Sequence, residues 1–206
     1  MSNLTNNVFL LNEELKGNNV KVVAISKTYT IDQVRTLYNL GIKDFGENRS
    51  NLLLEKKEEL KDLDITWHFV GHLQSNKVKE VINEIDYLHS LERLSLAKAI
   101  NKHRLTPLKC FIQVNIVKEE SKHGVYLEDL ITFINNLKKY DKIEIVGFMA
   151  MGVNNDLSQT EKIFKKISEI SKLTNYHELS MGMSDDYKLA LKYNTTFIRV
   201  GRMLVR

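Results

Sequence analysis

Val22-Val23-Ala24-Ile25-Ser26-Lys27-Thr28 is the stretch on which the fold turns. Four apolar residues run without interruption into a serine and a lysine. A short, unbroken, β-branched run suits a strand buried on both faces, as in a parallel sheet. Asp32 and Gln33 then open a helical pattern that continues through Leu40. Lys27 therefore falls where a strand hands over to a helix, the edge that carries the chemistry in parallel α/β folds. If Lys27 faces inward, period-2 alternation places Val23 and Ile25 beneath it. An amine above an apolar floor loses hydration, which favours the neutral form that attacks carbonyls. The competing reading is a surface lysine just past a strand.

The same alternation recurs along the chain. Strands are expected at 20–26, 42–45, 65–70, 87–90, 109–116, 143–150, 177–180 and 197–200. Helices are expected at 31–40, 52–60, 76–85, 92–103, 127–140, 158–173 and 184–193, with a further one at 4–16. Gly41 is a natural helix C-cap, and Ser184, with Asp185 and Asp186 behind it, a natural N-cap. Strict alternation requires parallel strands joined by right-handed crossovers. Eight such units predict a closed (β/α)8 TIM barrel, a single domain spanning 1–206. The alternative is an open doubly wound sheet. No GxGxxG follows the first strand to support its dinucleotide-binding version.

Composition narrows the classes of function. The formal charge is +4, with lysines scattered among acids, as in Lys56-Lys57-Glu58-Glu59 and Lys118-Glu119-Glu120. That pattern reads as solvated surface and argues against nucleic-acid binding. The single cysteine, Cys110, lies in an apolar strand pattern and supports neither a disulfide framework nor a cysteine-rich metal site. No apolar run reaches the length of a membrane span, and the N-terminus lacks a signal-peptide layout. A cytoplasmic protein with no membrane partner is expected.

A barrel gathers the C-terminal ends of its strands on one rim. In order these ends carry Lys27, Gly46-Glu47-Asn48, His68 with Gly71-His72, Gln113 and Asn115, Met149 and Met151, Ser180 to Ser184, and Arg199-Val200-Gly201-Arg202. Ser180 to Ser184 offers amides, hydroxyls and a helix start for an anion, and Gly201-Arg202 adds further amides. Ser184 is equally a simple helix cap. Arg199, in an apolar strand, is either paired to a carboxylate or aimed at a ligand. His68 reads first as a hydrogen-bonded core histidine. Gln113 and Asn115 share a face, as supports for a site or as a core network. No His/Asp/Glu set has metal-ligand spacing in the sequence, so no metal is expected. An inward amine, a phosphate cradle and an inward arginine together match the needs of pyridoxal 5′-phosphate, PLP.

The motifs also resemble the YggS/PROSC family of pyridoxal phosphate homeostasis proteins. The likeness rests on Val23–Thr28, Phe45–Asn48, Trp67–Lys77, Gln113–Asn115, Gly147–Met151, Leu179–Asp186 and Arg199–Gly201, in the family's order and over nearly the whole chain. It implies a barrel like the N-terminal domain of alanine racemase. By matching position, Lys27 would carry the cofactor as an aldimine. Ser180, Gly182, Ser184, Gly201 and Arg202 would surround the phosphate, the last two through backbone amides. Arg199 would approach the pyridine nitrogen, and Asn48, Met149 and Met151 would line the pocket. The chain stops at Arg206, short of a tail that family members often carry, and its N-terminal helical region is shorter than usual, so looser packing at the barrel's closed end is one expectation.

Arginine at the ring nitrogen disfavours a pyridinium and weakens the electron sink. Racemisation further needs a base on the opposite face, which in the racemase comes from a second domain. A monomeric, non-catalytic PLP carrier or regulator in vitamin B6 and amino-acid homeostasis is expected, with PLP-dependent apo-enzymes as prospective recipients. A weak amino-acid racemase is the alternative, and a module for some other phosphate ligand is a third reading.

Overall fold

The computed structural model describes residues 3–117 and 123–205. The elements run α1 (Asn3–Leu15), β1 (Lys21–Ile25), α2 (Ile31–Asn39), β2 (Asp44–Glu47), α3 (Ser50–Glu59), β3 (Thr66–Phe69), α4 (Val78–Val81) and β4 (Tyr87–Leu91). There follow α5 (Leu94–His103), β5 (Leu108–Asn115), β6 (Val125–Tyr126), α6 (Leu130–Leu137), β7 (Ile143–Met149), α7 (Leu157–Lys172), β8 (Glu178–Ser180), α8 (Tyr187–Leu191), β9 (Phe197–Val200) and α9 (Arg202–Val205). The strands are hydrogen-bonded in the order β4-β3-β2-β1-β9-β8-β7-β5, and β4 pairs with β5 to close the ring. Every pairing is parallel. The expected barrel is thus present, with β6 added outside it along the end of β5.

Alternation along β1 sorts its side chains as anticipated. Val23 and Ile25 pack inside the barrel with Phe111, Met149 and Phe197, whereas Val22 and Ala24 join the larger core between barrel and helices. Phe45, Phe69, Phe148, Phe164 and Leu37 fill that outer layer. Helix α2 begins with a capping box between Thr30 and Gln33. It ends where Gly41 takes φ +98°, a left-handed conformation that only glycine adopts without a Cβ clash.

Four expectations need correction. The helix placed at 76–85 is a 3-10 turn, Ser75–Lys77, followed by only Val78–Val81. The helix placed at 184–193 starts at Tyr187, because Asp186 folds back to accept from the Met183 amide at 2.5 Å and holds residues 184–186 in a turn. Lys56 is buried, not solvated. Its neighbours Lys118-Glu119-Glu120 in that argument, and most of the polar stretch 118–124, lie outside the described residues. The packing between the two ends of the chain is not loose: Leu4, Val8, Leu11 and Leu15 of α1 are buried, as is Leu204 of α9, and Asn7 donates to the Leu204 carbonyl at 3.4 Å.

Candidate functional site

Strands β1, β8 and β9 are neighbours, so their C-terminal ends meet on one arc of the rim. Ala24 pairs with Val200, and a Cβ placed on Gly201 would lie 3.3 Å from the Ile25 carbonyl. The turn carrying Lys27 therefore abuts Gly201. Tyr29 fastens it there: its hydroxyl donates to the Gly201 carbonyl at 2.7 Å, and burial pushes its pKa up. Lys27 itself is exposed. It lies in the turn past the end of β1, beyond the reach of strand alternation, and its exposure leaves the expected desolvation absent.

Under that turn lies a buried ion pair. Glu47, at the end of β2, is fully buried and lies 2.5 Å from Nζ of Lys56 on α3. Ser26 Oγ donates to the same Glu47 oxygen at 2.7 Å, and Lys56 donates to the Ser26 carbonyl. Both partners thus grip the residue that precedes Lys27.

The phosphate candidates divide in two. Gly201 N–H reaches the Ser184 hydroxyl at 3.5 Å, a long contact that an anion would replace with a stronger acceptor. Gly182 takes φ +89°, and a Cβ there would come within 2.8 Å of Ala190 and Tyr187, so the turn is built for glycine. A cavity of about 600 Å³, lined in part by Gly152, Thr160, Met183, Asp186 and Arg202, opens beside them. Ser180, in contrast, is fully buried, with its hydroxyl turned into the barrel. Its oxygen is engaged by His89 and Arg199. The Met183 amide is likewise taken by Asp186.

Arg199 is inward and buried. It donates to the Ser180 carbonyl at 2.7 Å, to Ser180 Oγ at 2.6 Å and to the Ala150 carbonyl at 3.2 Å. Burial pulls its pKa down to about 10, against the favourable charge of Asp186, and it stays a cation at neutral pH. Beyond it runs an unbroken chain. Ser180 Oγ meets His89 Nδ1 at 2.8 Å, His89 Nε2 meets His68 Nδ1 at 2.9 Å, and His68 Nε2 meets Asp44 Oδ1 at 2.9 Å. Donor bookkeeping orients it. Arginine only donates, so Ser180 accepts from Arg199 and gives its own proton to His89 Nδ1. His89 then donates from Nε2 to His68, and His68 donates from Nε2 to the Asp44 carboxylate. Both imidazoles are neutral in this arrangement, and burial lowers the pKa of each. The core reading of His68 holds, and it stacks on Tyr87 at 4.6 Å.

The remaining candidates scatter. Met149 is buried in the barrel interior as part of the floor, Met151 sits at the surface, and Asn48 is exposed in a groove of about 250 Å³ with Arg49 and His72. Gln113 is buried and donates to the His123 carbonyl at 2.9 Å. Contrary to the sequence spacing, His72, Glu92 and His123 do come together. Tyr29 and His89 went unremarked in the sequence, where a tyrosine in a turn and a histidine in a weak strand carry no signal of their partners, and Lys56 read there as surface charge.

A closed parallel barrel with a lysine past β1, Gly182, Ser184 and Gly201 past β8 and β9 and a buried arginine between defines a class: the alanine racemase N-terminal domain, whose family model matches residues 1–206. Alanine racemase from Clostridium difficile has the same fold, with TM-score 0.81 at 13% identity over 98% of this chain and 56% of that one. Within this class, the chain belongs to the pyridoxal phosphate homeostasis protein family. It is 35% identical over 202 residues to the member from Haemophilus influenzae, covering 92% of this chain and 85% of that protein. The member from Aquifex aeolicus is also 35% identical, with coverage of 92% and 88%. PipY of Synechococcus elongatus, solved with PLP bound, superposes with TM-score 0.89 at 30% identity over 98% of this chain and 100% of that one.

Proposed function

We propose that this protein binds PLP at the β1/β8/β9 arc and serves vitamin B6 and amino-acid homeostasis in the cytoplasm. It does so as a monomer and as one domain, 1–206, holding the cofactor for PLP-dependent apo-enzymes without robust turnover. The observation that carries the reading is the convergence of Lys27, the Gly201 amide facing Ser184, and Arg199 at the ends of adjacent strands. The donor set fits the cofactor: an amine for its aldehyde, amides and a hydroxyl for its phosphate, and a cationic donor for its ring nitrogen.

Bound there, PLP supplies an aldehyde that condenses with primary amines and a ring that withdraws electrons. Nζ of Lys27 would be the amine placed to meet that aldehyde, with loss of water. Its exposure leaves it open to amines arriving from solvent, which suits exchange and release. Ser184, Gly182, Gly201 and Arg202 would hold the phosphate, with Asn48, Met149 and Met151 around the mouth and floor. Arg199 cannot accept a proton, and its hydroxyl partner faces away toward His89, so a ring nitrogen facing it would find no acceptor to keep it protonated. That limits the electron sink and favours storage over racemisation.

The test is the absorption spectrum of the purified protein before and after borohydride, followed by peptide mass mapping. A visible band that reduction bleaches, with the label on Lys27 and lost in Lys27→Ala, is the expected result. Labelling that persists at equal stoichiometry in Lys27→Ala refutes the attachment site.

A further inference from the structure

We propose that His72, Glu92 and His123 form a binding site for one divalent first-row transition cation such as Zn²⁺ or Co²⁺. The three come from three different loops on the C-terminal rim, after β3, β4 and β5, across the barrel mouth from Gly201. His72 Nδ1 lies 2.7 Å from Glu92 Oε1 and His123 Nδ1 lies 3.6 Å from the same oxygen. The three potential ligand atoms all fall within 4.8 Å of one another. Bonds of about 2.0–2.1 Å at tetrahedral angles put ligand atoms roughly 3.4 Å apart, so shifts of under about 1.5 Å complete the site. The two imidazole rings stack, with centroids 4.1 Å apart and planes at 22°, which presents both Nδ1 atoms on one side.

Two features point beyond an ordinary surface ion pair. The Glu92 side chain is only 6% exposed, and its Oε2 is buried with no hydrogen-bond partner among the described residues. A buried carboxylate oxygen without a partner is costly, and a cation gripped by both oxygens of Glu92 would relieve that cost. The donor set of two imidazoles and one carboxylate suits zinc and its neighbours and leaves coordination positions open. His72 and His123 are 35% and 59% exposed at their side chains, so a cation has a path in from solvent. Arg93 opposes the charge: its Nη1 lies 2.9 Å from Glu92 Oε1, while Nη2 is anchored on the Leu73 carbonyl at 2.5 Å. It neutralises part of the carboxylate charge, so the site is one of moderate affinity. Nothing in this inference depends on the cofactor reading.

The experiment is a Co²⁺ titration of the full chain after chelator treatment, followed by visible absorption, with Zn²⁺ competition by calorimetry. The expected result is one Co²⁺ per chain with d–d bands of a nitrogen–oxygen site, displaced by Zn²⁺. Replacing one ligand weakens binding at least about tenfold, since changes merely behind a ligand already cost 10–100-fold. His123→Ala is the first variant, because its exposure makes it safe for the fold, and Glu92→Gln the second. His177→Ala, at an exposed histidine outside the cluster, leaves binding unchanged. Absence of saturable binding in the wild type, or affinity preserved in His123→Ala and in folded Glu92→Gln, overturns the proposal.

Discussion

Replacing Lys56 by methionine probes the brace beneath Lys27. The Lys56–Glu47 separation is 2.5 Å, and Glu47 is fully buried. At an effective dielectric of about 20, the attraction at that distance is roughly 7 kcal/mol. Desolvating the two ions costs several kcal/mol each, so the intact pair contributes little net stability. Breaking it is different. Lys56→Met keeps the volume but leaves the Glu47 carboxylate buried with only the Ser26 hydroxyl as donor, at a cost of about 3–5 kcal/mol. For a chain of this size that corresponds to a fall in Tm of roughly 6–20 °C. Urea unfolding followed by circular dichroism measures it. The double variant Lys56→Met/Glu47→Gln recovers most of the loss, because the uncompensated charge is gone. The second readout is cofactor affinity. Lys56 also holds the Ser26 carbonyl, so both variants place Lys27 less firmly and bind PLP more weakly than wild type. A single variant within about 1 kcal/mol of wild type, or a double variant no better than the single, refutes the brace.

Burial holds the pKa values of His68 and His89 below the ordinary 6.5. The unfolded chain then takes up protons near 6.5 that the native state refuses, so stability is full above that pH and falls as pH drops below it. The slope reaches about 2.7 kcal/mol per pH unit for the two residues, until their native pKa values are met. Denaturation midpoints between pH 7.5 and 5 check this, and a flat profile that is unchanged in His89→Phe contradicts it. Ser184→Ala weakens PLP binding by about tenfold or more, the worth of one hydrogen bond to a charged group, and pyridoxal without phosphate binds poorly to wild type. Equal affinity for PLP and pyridoxal in equilibrium dialysis removes the phosphate corner from the site. Incubation of the PLP-loaded protein with L-alanine in deuterated water gives no α-deuteration at enzymatic rates. Mass spectrometry that finds rapid exchange, abolished in Lys27→Ala, makes the protein a racemase-like enzyme.

What the sequence determined by itself is the barrel and the set of residues that gather on its rim. Those features are periodic and local: β-branched runs of strand length, helical repeats between them, and a lysine, glycines and an arginine placed where strands end. Val23 and Ile25 face inward because alternation along a strand is a property of the backbone, and Gly41 ends its helix because of its own φ. The tertiary structure alone decided which polar groups meet. Lys56 looked like one of a run of helical surface charges, and it is buried because α3 lays that face over Glu47. Ser180 looked like a phosphate ligand, and barrel closure turns it inward between Arg199 and His89. Ser184 looked like a helix cap, and the turn that Asp186 folds back to hold aims it at Gly201 instead. Lys27 looked desolvated, and the turn fastened by Tyr29 holds its amine in solvent. His72, Glu92 and His123 share no sequence spacing and meet only because a closed ring brings three consecutive loops to one side. Each of these is a contact between residues distant in the chain, set by closure of the sheet and by the docking angle of a helix, and no pattern within a single segment records it.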